Sequence, residues 1–378
     1  MVTNTRIATW NVRGLNEDFK SDTLIKEMKR LKINILGLSE THWTTEIPET
    51  FEKSSYSFLH AGNKDIVKRR GVGIILDQES RKALLDYKLI SERLLSVTVN
   101  TLQGPLTIFQ VYAPDSSYDD ETFYRFFDLL ENSINELPIN QRFTVIGDFN
   151  AKVGETAGDL WPENAGKFGL GEINDRGQYL LQFCATLNLV ISNTLFKHKP
   201  IRRATWTHPD GLHRNQIDFI IVHKKPKPQI KDSRVFNSAS IGSDHSLVLA
   251  RFKISIKQKR KFYPKRVPKK FYVERLLKDP ELANEFRIKI GGRFEPLLNL
   301  DTDEIDTDEL YDRFKGVLNT VTKETVGFCK RKLVENMPPD VEKMCEKRKV
   351  ARLQSLSQPL NLKARQQYQS LNREVKNQ

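Results

Sequence analysis

The stretch Phe143-Thr144-Val145-Ile146-Gly147-Asp148-Phe149-Asn150 decides the fold. Its apolar half predicts a buried strand, which the glycine ends. Asp148 and Asn150 follow two positions apart, and residues two apart in an extended backbone face the same way. The stretch therefore presents a carboxylate and a carboxamide together at the carboxyl end of a strand, where α/β sheets place their chemistry. A plain turn explains the same two residues about equally well, so the interpretation depends on similar strand ends elsewhere.

The chain before this stretch begins with a strand–helix–strand unit. Residues Ile7–Trp10 and Ile33–Leu38 read as strands, and apolar residues recur at helical spacing between Ser21 and Leu31. Short apolar runs, separated by polar or glycine breaks, then predict hairpins and antiparallel pairing. The pattern predicts an α/β sandwich. The remaining predicted strands are 56–59, 71–76, 87–90, 94–101, 105–112, 189–192, 205–207, 216–222 and 247–256, with helices at 119–137 and 176–187.

Composition bounds the class of protein and of partner. The chain has 378 residues and a formal net charge of +13, which favours an anionic partner such as nucleic acid. Three widely spaced cysteines form neither a disulfide framework nor a paired metal signature, which is typical of an intracellular protein. No apolar run is long enough for a signal peptide or a membrane span, so we expect no membrane partner.

The composition changes after the last predicted strand. A basic run that contains two prolines and no acid reaches residue 270, and runs of this kind are linkers or nucleic-acid-contacting arms. The pattern beyond it is helical and highly charged. We therefore predict a domain over residues 1–255, a basic linker over 256–270, and a helical, partly flexible appendage over 271–378.

Polar side chains recur at the ends of apolar runs along the first 250 residues. Each stands in a short motif, such as Trp10-Asn11, Ser39-Glu40-Thr41, Ile217-Asp218-Phe219 or Ser243-Asp244-His245-Ser246. We expect them to meet at one edge of the sandwich. The full set is Asn11, Glu40, Tyr112, Asp148, Asn150, Asp218, Asp244 and His245.

In their order and spacing these motifs resemble the endonuclease/exonuclease/phosphatase superfamily, the fold of the apurinic endonucleases. The resemblance implies a four-layered α/β sandwich, in which two packed mixed sheets are flanked by helices. The segments from Thr9 to Asn16 and from Asn193 to Phe196 look, more narrowly, like the endonuclease of non-LTR retrotransposons of the RTE/BovB type. The helical tail resembles the stretch before their reverse transcriptase. We expect a truncated or domesticated copy, or a fragment.

The resemblance and the chemistry agree on a metal site. Glu40 offers a hard oxygen ligand suited to Mg²⁺, for which Mn²⁺ is expected to substitute, and Asn11 and Asp244 can complete that shell. Asp148 is the candidate to orient or deprotonate the attacking water. Asn150 can donate its amide to a phosphate oxygen, where charge builds in the transition state.

His245 is the candidate donor to the phosphate, and Asp218 the carboxylate that holds its ring in one tautomer. Tyr112 ends a strand. It either hydrogen-bonds the phosphate or acts as an acid toward the leaving oxygen, and a role as a core aromatic is as plausible.

Three further residues are candidate substrate contacts. Arg13 stands where apurinic endonucleases often carry an acid, so it cannot ligate a metal but can grip a phosphate. Asn174 either touches the substrate or caps the helix that follows, and we favour the cap. Trp206 either stacks on a nucleoside or packs in the core.

The sequence thus predicts a Mg²⁺-dependent endonuclease that nicks duplex DNA, as in target-primed retrotransposition. The alternatives are a phosphatase on an inositol or lipid phosphate, and a domesticated non-catalytic domain that binds DNA or protein. We expect DNA as the partner, with RNA as a further partner of the basic arm and tail. We also expect a monomer and a nuclear location.

Overall fold

A computed structural model describes residues 4–15, 19–44, 49–62, 70–224, 230–257, 271, 273–298, 307–326 and 339–376. The chain forms two compact units. The first contains Met1–Phe262 and Asn336–Gln378, and the second contains Tyr263–Glu335. Most of the predicted basic linker, from residue 258 onward, lies outside the described residues, and the domain limits inferred from composition remain predictions. In the described part of the chain, no helix is both long and apolar enough to cross a membrane.

The strands of the first unit form two large sheets and one small hairpin. In chain order they are β1 (Thr5–Asn11), β2 (Ile35–Ser39), β3 (Thr50–Lys53), β4 (Tyr56–Ala61), β5 (Val72–Leu76), β6 (Leu84–Ser91), β7 (Leu94–Val99), β8 (Leu106–Tyr112), β9 (Arg142–Asp148), β10 (Leu189–Ile191), β11 (Trp206–Thr207), β12 (Arg214–Asn215), β13 (Asp218–His223), β14 (Ile230–Phe236) and β15 (Leu247–Phe252).

Each large sheet is mixed and contains one parallel pair. One sheet has the order β14-β15-β1-β2-β5-β4-β3, with β1 and β2 parallel. The other has the order β10-β13-β9-β8-β7-β6, with β8 and β9 parallel. Strands β11 and β12 form a two-stranded hairpin, and Trp206 of β11 also forms an isolated antiparallel bridge with His245. The strands β3, β12 and β14 are additions to those that the sequence pattern predicts.

Ten α-helices lie in the described residues. They are α1 (Lys20–Leu31), α2 (Gln78–Lys82), α3 (Asp120–Asn135), α4 (Ala157–Leu160), α5 (Asp175–Thr186), α6 (Glu274–Lys278), α7 (Pro280–Leu298), α8 (Thr307–Thr325), α9 (Pro339–Ser357) and α10 (Leu362–Lys376). Helices α6, α7 and α8 belong to the second unit, whereas α9 and α10 belong to the first. We call α9 and α10 the C-terminal hairpin.

Three apolar cores lie among the described residues of the first unit. Between the sheets, residues such as Ile7 and Ile74 of one sheet pack with Ile108 and Ile146 of the other. A second core packs α3 and α5 on the outer face of the six-stranded sheet. The third packs α1 on the outer face of the seven-stranded sheet. The described elements therefore form the predicted four-layered α/β sandwich, with helices outside two mixed sheets and a helical region at the carboxyl end.

Candidate active site

Strand register brings the predicted polar residues to one edge of the sandwich. Tyr112, the last residue of β8, pairs with Asp148 at the end of β9, and Asp148 pairs with Asp218 at the start of the antiparallel β13. Asn11 ends β1 in the facing sheet. Residues Ser243–Ser246 precede β15, which is antiparallel to β1 and therefore starts where β1 ends. We call Asn11, Glu40, Asp148, Asp218, Asp244 and His245 the catalytic rim.

Gly147 explains why Asp148 can stand at this edge. A Cβ atom on Gly147, whose φ is +150°, would lie 2.1 Å from the carbonyl oxygen of Val111 on β8. A larger residue would therefore push the parallel strands β8 and β9 apart. Asp148 is itself the last residue of β9 rather than part of a turn. The strand-end interpretation of this stretch is therefore correct, with the strand ending one residue later than predicted.

Asn11 links the two sheets at the catalytic rim. Its side chain is fully buried. The Nδ2 atom donates to Oε1 of Glu40 over 2.8 Å and to Oδ2 of Asp148 over 2.9 Å. The Oδ1 atom accepts from the backbone nitrogen of Arg13 over 3.1 Å. Asn11 therefore fixes the distance between the two carboxylates that the sequence assigns to metal binding and to water activation.

Glu40 is held as a carboxylate. Burial alone would raise its pKa, but hydrogen bonds from His42 and Asn11 and the charges of His245 and Arg13 lower the pKa to about 2. The Nε2 atom of His42 lies 3.3 Å from Oε2 of Glu40. Sequence reasoning missed His42. The sequence feature that could have identified His42 is its position two residues after Glu40, within Glu40-Thr41-His42.

The pKa of Asp148 is shifted in the opposite direction to that of Glu40. Burial raises its pKa, and the charge of Asp218 raises it further, while His245 and Asn11 oppose the shift; the resulting pKa is about 7. Its Oδ1 atom accepts from the backbone nitrogen of Asn150 over 3.0 Å. A carboxyl with a pKa near neutrality is suited to exchanging a proton with water.

His245 and Asp218 form a buried hydrogen-bonded pair. The Nδ1 atom of His245 lies 2.9 Å from Oδ2 of Asp218, whereas its Nε2 atom lies 3.9 Å from Oδ2 of Asp148, too far for a hydrogen bond. Burial alone would lower the pKa of His245, but the charge and hydrogen bond of Asp218 raise it to about 10. The imidazole is therefore a cation near neutral pH, with Nε2 on the side of the Asp148 carboxylate.

Tyr112 and Asn150 lie beside Asp148. Burial and the charges of Glu40 and Asp148 raise the pKa of the Tyr112 phenol, so it keeps its proton. Arg93 stacks on the ring, with its Cζ atom 4.9 Å from the centroid. The Nδ2 atom of Asn150 donates to the carbonyl oxygen of Ala113 over 2.8 Å, which occupies one of its two amide hydrogens. Both side chains can still donate one hydrogen bond at the catalytic rim.

Asp244 joins two of the three predicted substrate contacts to the catalytic rim. Its Oδ2 atom accepts from Nη1 of Arg13 over 2.6 Å and from Nε1 of Trp206 over 3.1 Å. Trp206 is half-buried, so it is neither a core residue nor a fully exposed ring. Both Arg13 and Trp206 therefore lie next to the catalytic rim, and a substrate contact by either stays a prediction.

Asn174 is not brought into this cluster. It caps α5, and its Oδ1 atom accepts from the backbone nitrogens of Gly177 and Lys152, each over 2.9 Å. In the described residues, no contact joins it to the catalytic rim. The geometry agrees with the cap that sequence reasoning favoured, and a substrate contact by Asn174 stays a prediction.

The catalytic rim has a donor set that fits a hard divalent cation. Oδ1 of Asp244 is buried without a hydrogen-bond partner among the described residues, and so is Oδ1 of Asp218. Glu40, ionised, lines the same cavity as Asp244. Ligand atoms of Asp148, Asp218 and His245 also lie within 4.8 Å of one another, so this cluster could hold a metal ion as well. The Glu40 side is favoured, because the protonated ring of His245 has no lone pair to give a metal ion.

Comparisons with known proteins match most of the chain to one family. A sequence profile of the family described as "Endonuclease/Exonuclease/phosphatase family" matches residues 8–245. Craniofacial development protein 2 of Bos taurus is 37% identical over 251 residues, which are 66% of this chain and 41% of that protein. The protein of the same name from Tragulus javanicus is 36% identical over 251 residues, 66% of this chain and 42% of that protein. The chain thus spans about two fifths of the length of these relatives.

Two solved structures share the fold. The catalytic domain of Xenopus laevis APE2 has a TM-score of 0.51 at 16% identity and covers 68% of this chain and 94% of its own. The AP endonuclease LMAP from Leishmania major has a TM-score of 0.52 at 14% identity and covers 66% of this chain and 87% of its own. At these identities the likeness is one of fold.

Proposed function

The chain belongs to the endonuclease/exonuclease/phosphatase family, and from this premise we propose that it is a Mg²⁺-dependent endonuclease that nicks one strand of duplex DNA. Members of the family typically hydrolyse phosphate esters. The observation that carries the proposal is the catalytic rim itself. A protonated histidine, a carboxyl of near-neutral pKa and an ionised glutamate meet within one hydrogen-bonded cluster.

The residues of this chain divide the work of phosphodiester hydrolysis. Asp148 orients the attacking water and accepts its proton. His245 donates from Nε2 to a phosphate oxygen, and Asp218 holds the ring in position. Tyr112 and Asn150 donate to the phosphate or to the leaving oxygen. These hydrogen bonds strengthen as negative charge builds in the transition state.

A divalent cation fits beside these groups. Glu40, with Asn11 and Asp244, would hold it, and Mn²⁺ is expected to substitute for Mg²⁺. When bound, such an ion neutralises charge on the phosphate. The basic residues of the chain, including the segment up to residue 270, favour DNA over a lipid phosphate.

The finer role follows the resemblance of the Thr9–Asn16 and Asn193–Phe196 segments to non-LTR retrotransposon endonucleases. We propose that the nick provides the primer end for reverse transcription, in a nucleus, and that the protein acts as a monomer. Binding of RNA by the basic arm and tail belongs to the same proposal.

A plasmid assay tests the activity. The full chain, incubated with supercoiled plasmid and MgCl₂, should convert it to the open circle, and polymerase extension should show a 3′ hydroxyl at the nick. Glu40→Gln should nick at least a hundredfold more slowly, because it removes the charge that holds the cation. Glu79→Gln is the matched control: Glu79 is exposed in α2, which follows the end of β5 opposite to Glu40.

Other results of these assays would favour one of the alternative functions or contradict the role of Glu40. Phosphate release from an inositol phosphate, without nicking, would identify a phosphatase. DNA binding without hydrolysis of either substrate would identify a non-catalytic domain. Equal nicking by wild type and Glu40→Gln would contradict the assigned role of Glu40.

A further inference from the structure

The C-terminal hairpin packs against the sandwich of the first unit through a buried arginine. The Arg352 side chain, 4% exposed, donates from Nη1 to the carbonyl oxygen of Ala239 over 2.8 Å. Its Nη2 atom donates to the carbonyl oxygen of His245 over 3.2 Å and to Oγ of Ser246 over 3.1 Å. A buried guanidinium that donates to backbone groups on both sides of a loop is costly to undock. The hairpin is therefore a fixed part of the unit that carries His245.

Salt bridges add to this docking on α1. Nζ of Lys349 lies 3.2 Å from Oε1 of Glu27, and both side chains are largely buried. Nζ of Lys26 lies 2.5 Å from Oε1 of Glu342 at the exposed start of α9. The second pair contributes little because it is exposed. The pair of Lys349 and Glu27 lies in the buried interface between α9 and α1. Helix α9 therefore contacts the sandwich at this pair as well as at Arg352.

A cavity of about 380 Å³ separates the catalytic rim from α10. Its volume is in the range of ligand-binding clefts, roughly 300–1,000 Å³. Glu40, His42 and Asp244 line one side, and Arg365, Tyr368 and Asn372 line the other. We call Arg365, Tyr368 and Asn372 the α10 wall. The family profile ends at residue 245, so the α10 wall lies outside the matched segment.

The wall of this cavity carries cations without acidic partners. Within the part of the chain that the structure describes, the Arg365 guanidinium has no hydrogen-bond or ion-pair partner. Arg214 donates from Nη2 to the carbonyl oxygen of Leu356 over 3.1 Å, and burial lowers the pKa of Arg214 with no facing carboxylate to oppose it. Two carboxylates are among the described residues that line the cavity, and both already have partners: Glu40 accepts from Asn11, and Asp244 pairs with Arg13. The cavity therefore has a surplus of positive charge on its outer wall.

We propose that this cavity is a subsite for the nucleotide next to the scissile phosphate, with Arg365 and Arg214 on its phosphate and Tyr368 against its sugar and base. The inference rests on the proposed nuclease function, since the cavity opens onto the catalytic rim. Guanidiniums without acidic partners recognise a phosphate through paired N–H donors, and an aromatic ring beside them offers a stacking face of low sequence preference. Oδ1 of Asn372, buried without a partner among the described residues, provides one more polar group in the cavity wall.

Binding of a fluorescein-labelled 20-base-pair duplex by the full chain, in EDTA, tests the subsite without hydrolysis. Arg365→Ala should raise the Kd roughly five- to tenfold and reduce the slope of log Kd against log salt by about 0.9, the loss of one phosphate contact. Arg365→Lys should restore the slope but only part of the affinity, because lysine lacks the paired donors. Arg373→Ala is the matched control: the same substitution in the same helix, at an exposed residue outside the cavity. It should change the Kd less than twofold.

Plasmid nicking by the same proteins separates the two proposals. If wild type nicks and Arg365→Ala binds DNA like Arg373→Ala, the subsite is wrong and the nuclease stands. If wild type does not nick but Arg365→Ala still weakens binding, the nuclease proposal fails and the cavity remains a nucleotide-binding site. Faster nicking by Arg365→Ala would overturn the subsite, because it would mean that α10 obstructs the DNA.

Discussion

In the catalytic rim, Asn11, Asp148 and His245 are at most 5% exposed and have hydrogen-bond partners on neighbouring strand ends. Across the cavity, Arg365 and Tyr368 of α10 are half-buried, and the Arg365 guanidinium has no partner among the described residues. The difference separates two kinds of site. The catalytic rim is preorganised, so its residues should act on the transition state. The α10 wall is not, so its residues should act on binding.

The largest expected effect comes from His245. His245→Ala should lower the single-turnover rate of nicking by on the order of a thousandfold, because it removes a preorganised cation from the transition state. The Kd for DNA should change less than threefold. Rapid-quench nicking of supercoiled plasmid gives the rate, and anisotropy of a labelled duplex gives the Kd.

Asp218→Asn sharpens the same test. It leaves the shape of the pair unchanged but removes the charge that holds the imidazole as a cation. We expect a loss of rate comparable to that of His245→Ala and no further loss in the double variant, since the two residues act as a unit. Additive losses would show that His245 and Asp218 work separately, contrary to the bonded pair.

The next effect concerns the junction of the two regions. Arg352→Met keeps the bulk of the side chain but removes its hydrogen bonds to Ala239, His245 and Ser246. The free energy of unfolding should fall by about 2 kcal/mol, as for a buried charged hydrogen-bonding group. Urea unfolding of the full chain measures it. Arg373→Met, on the exposed surface of α10, should change stability by less than about 0.5 kcal/mol. Equal stabilities would show that the hairpin is not docked through Arg352.

The catalytic rim could be predicted from sequence because each of its members follows or precedes an apolar run. Asp148, which follows the apolar run Phe143–Ile146, is such a local signal. The sheet register then brings Asp148 next to Tyr112 and Asp218. The strand β14 could not be predicted in this way. Its Asp232 is buried and pairs with His198 and Arg251, so polar residues occupy positions where the pattern expects apolar ones.

The role of the C-terminal hairpin was missed for a related reason. Residues at helical spacing do face the core from α9, but two of them are arginines. Arg348, Ala351 and Arg352 are at most 4% exposed. A buried face made of arginine gives no apolar periodicity, because the side chain is charged; Arg352 is buried through its hydrogen bonds to carbonyl groups. Only the folded chain shows that part of the segment predicted to be an appendage lines the cavity.

The smallest expected effect marks where the catalytic rim ends. Asn174→Ala removes the cap of α5 and should lower the free energy of unfolding by about 1 kcal/mol. It should leave the rate of nicking and the Kd for DNA unchanged, because Oδ1 already accepts from two backbone nitrogens. Asn174→Asp, which keeps the acceptor, should restore the stability. A weaker Kd for DNA in Asn174→Ala, with stability unaltered, would instead make Asn174 a substrate contact. The DNA-binding surface would then extend from the catalytic rim to the start of α5. Asn174 would contact DNA even though its Oδ1 atom already accepts from two backbone nitrogens.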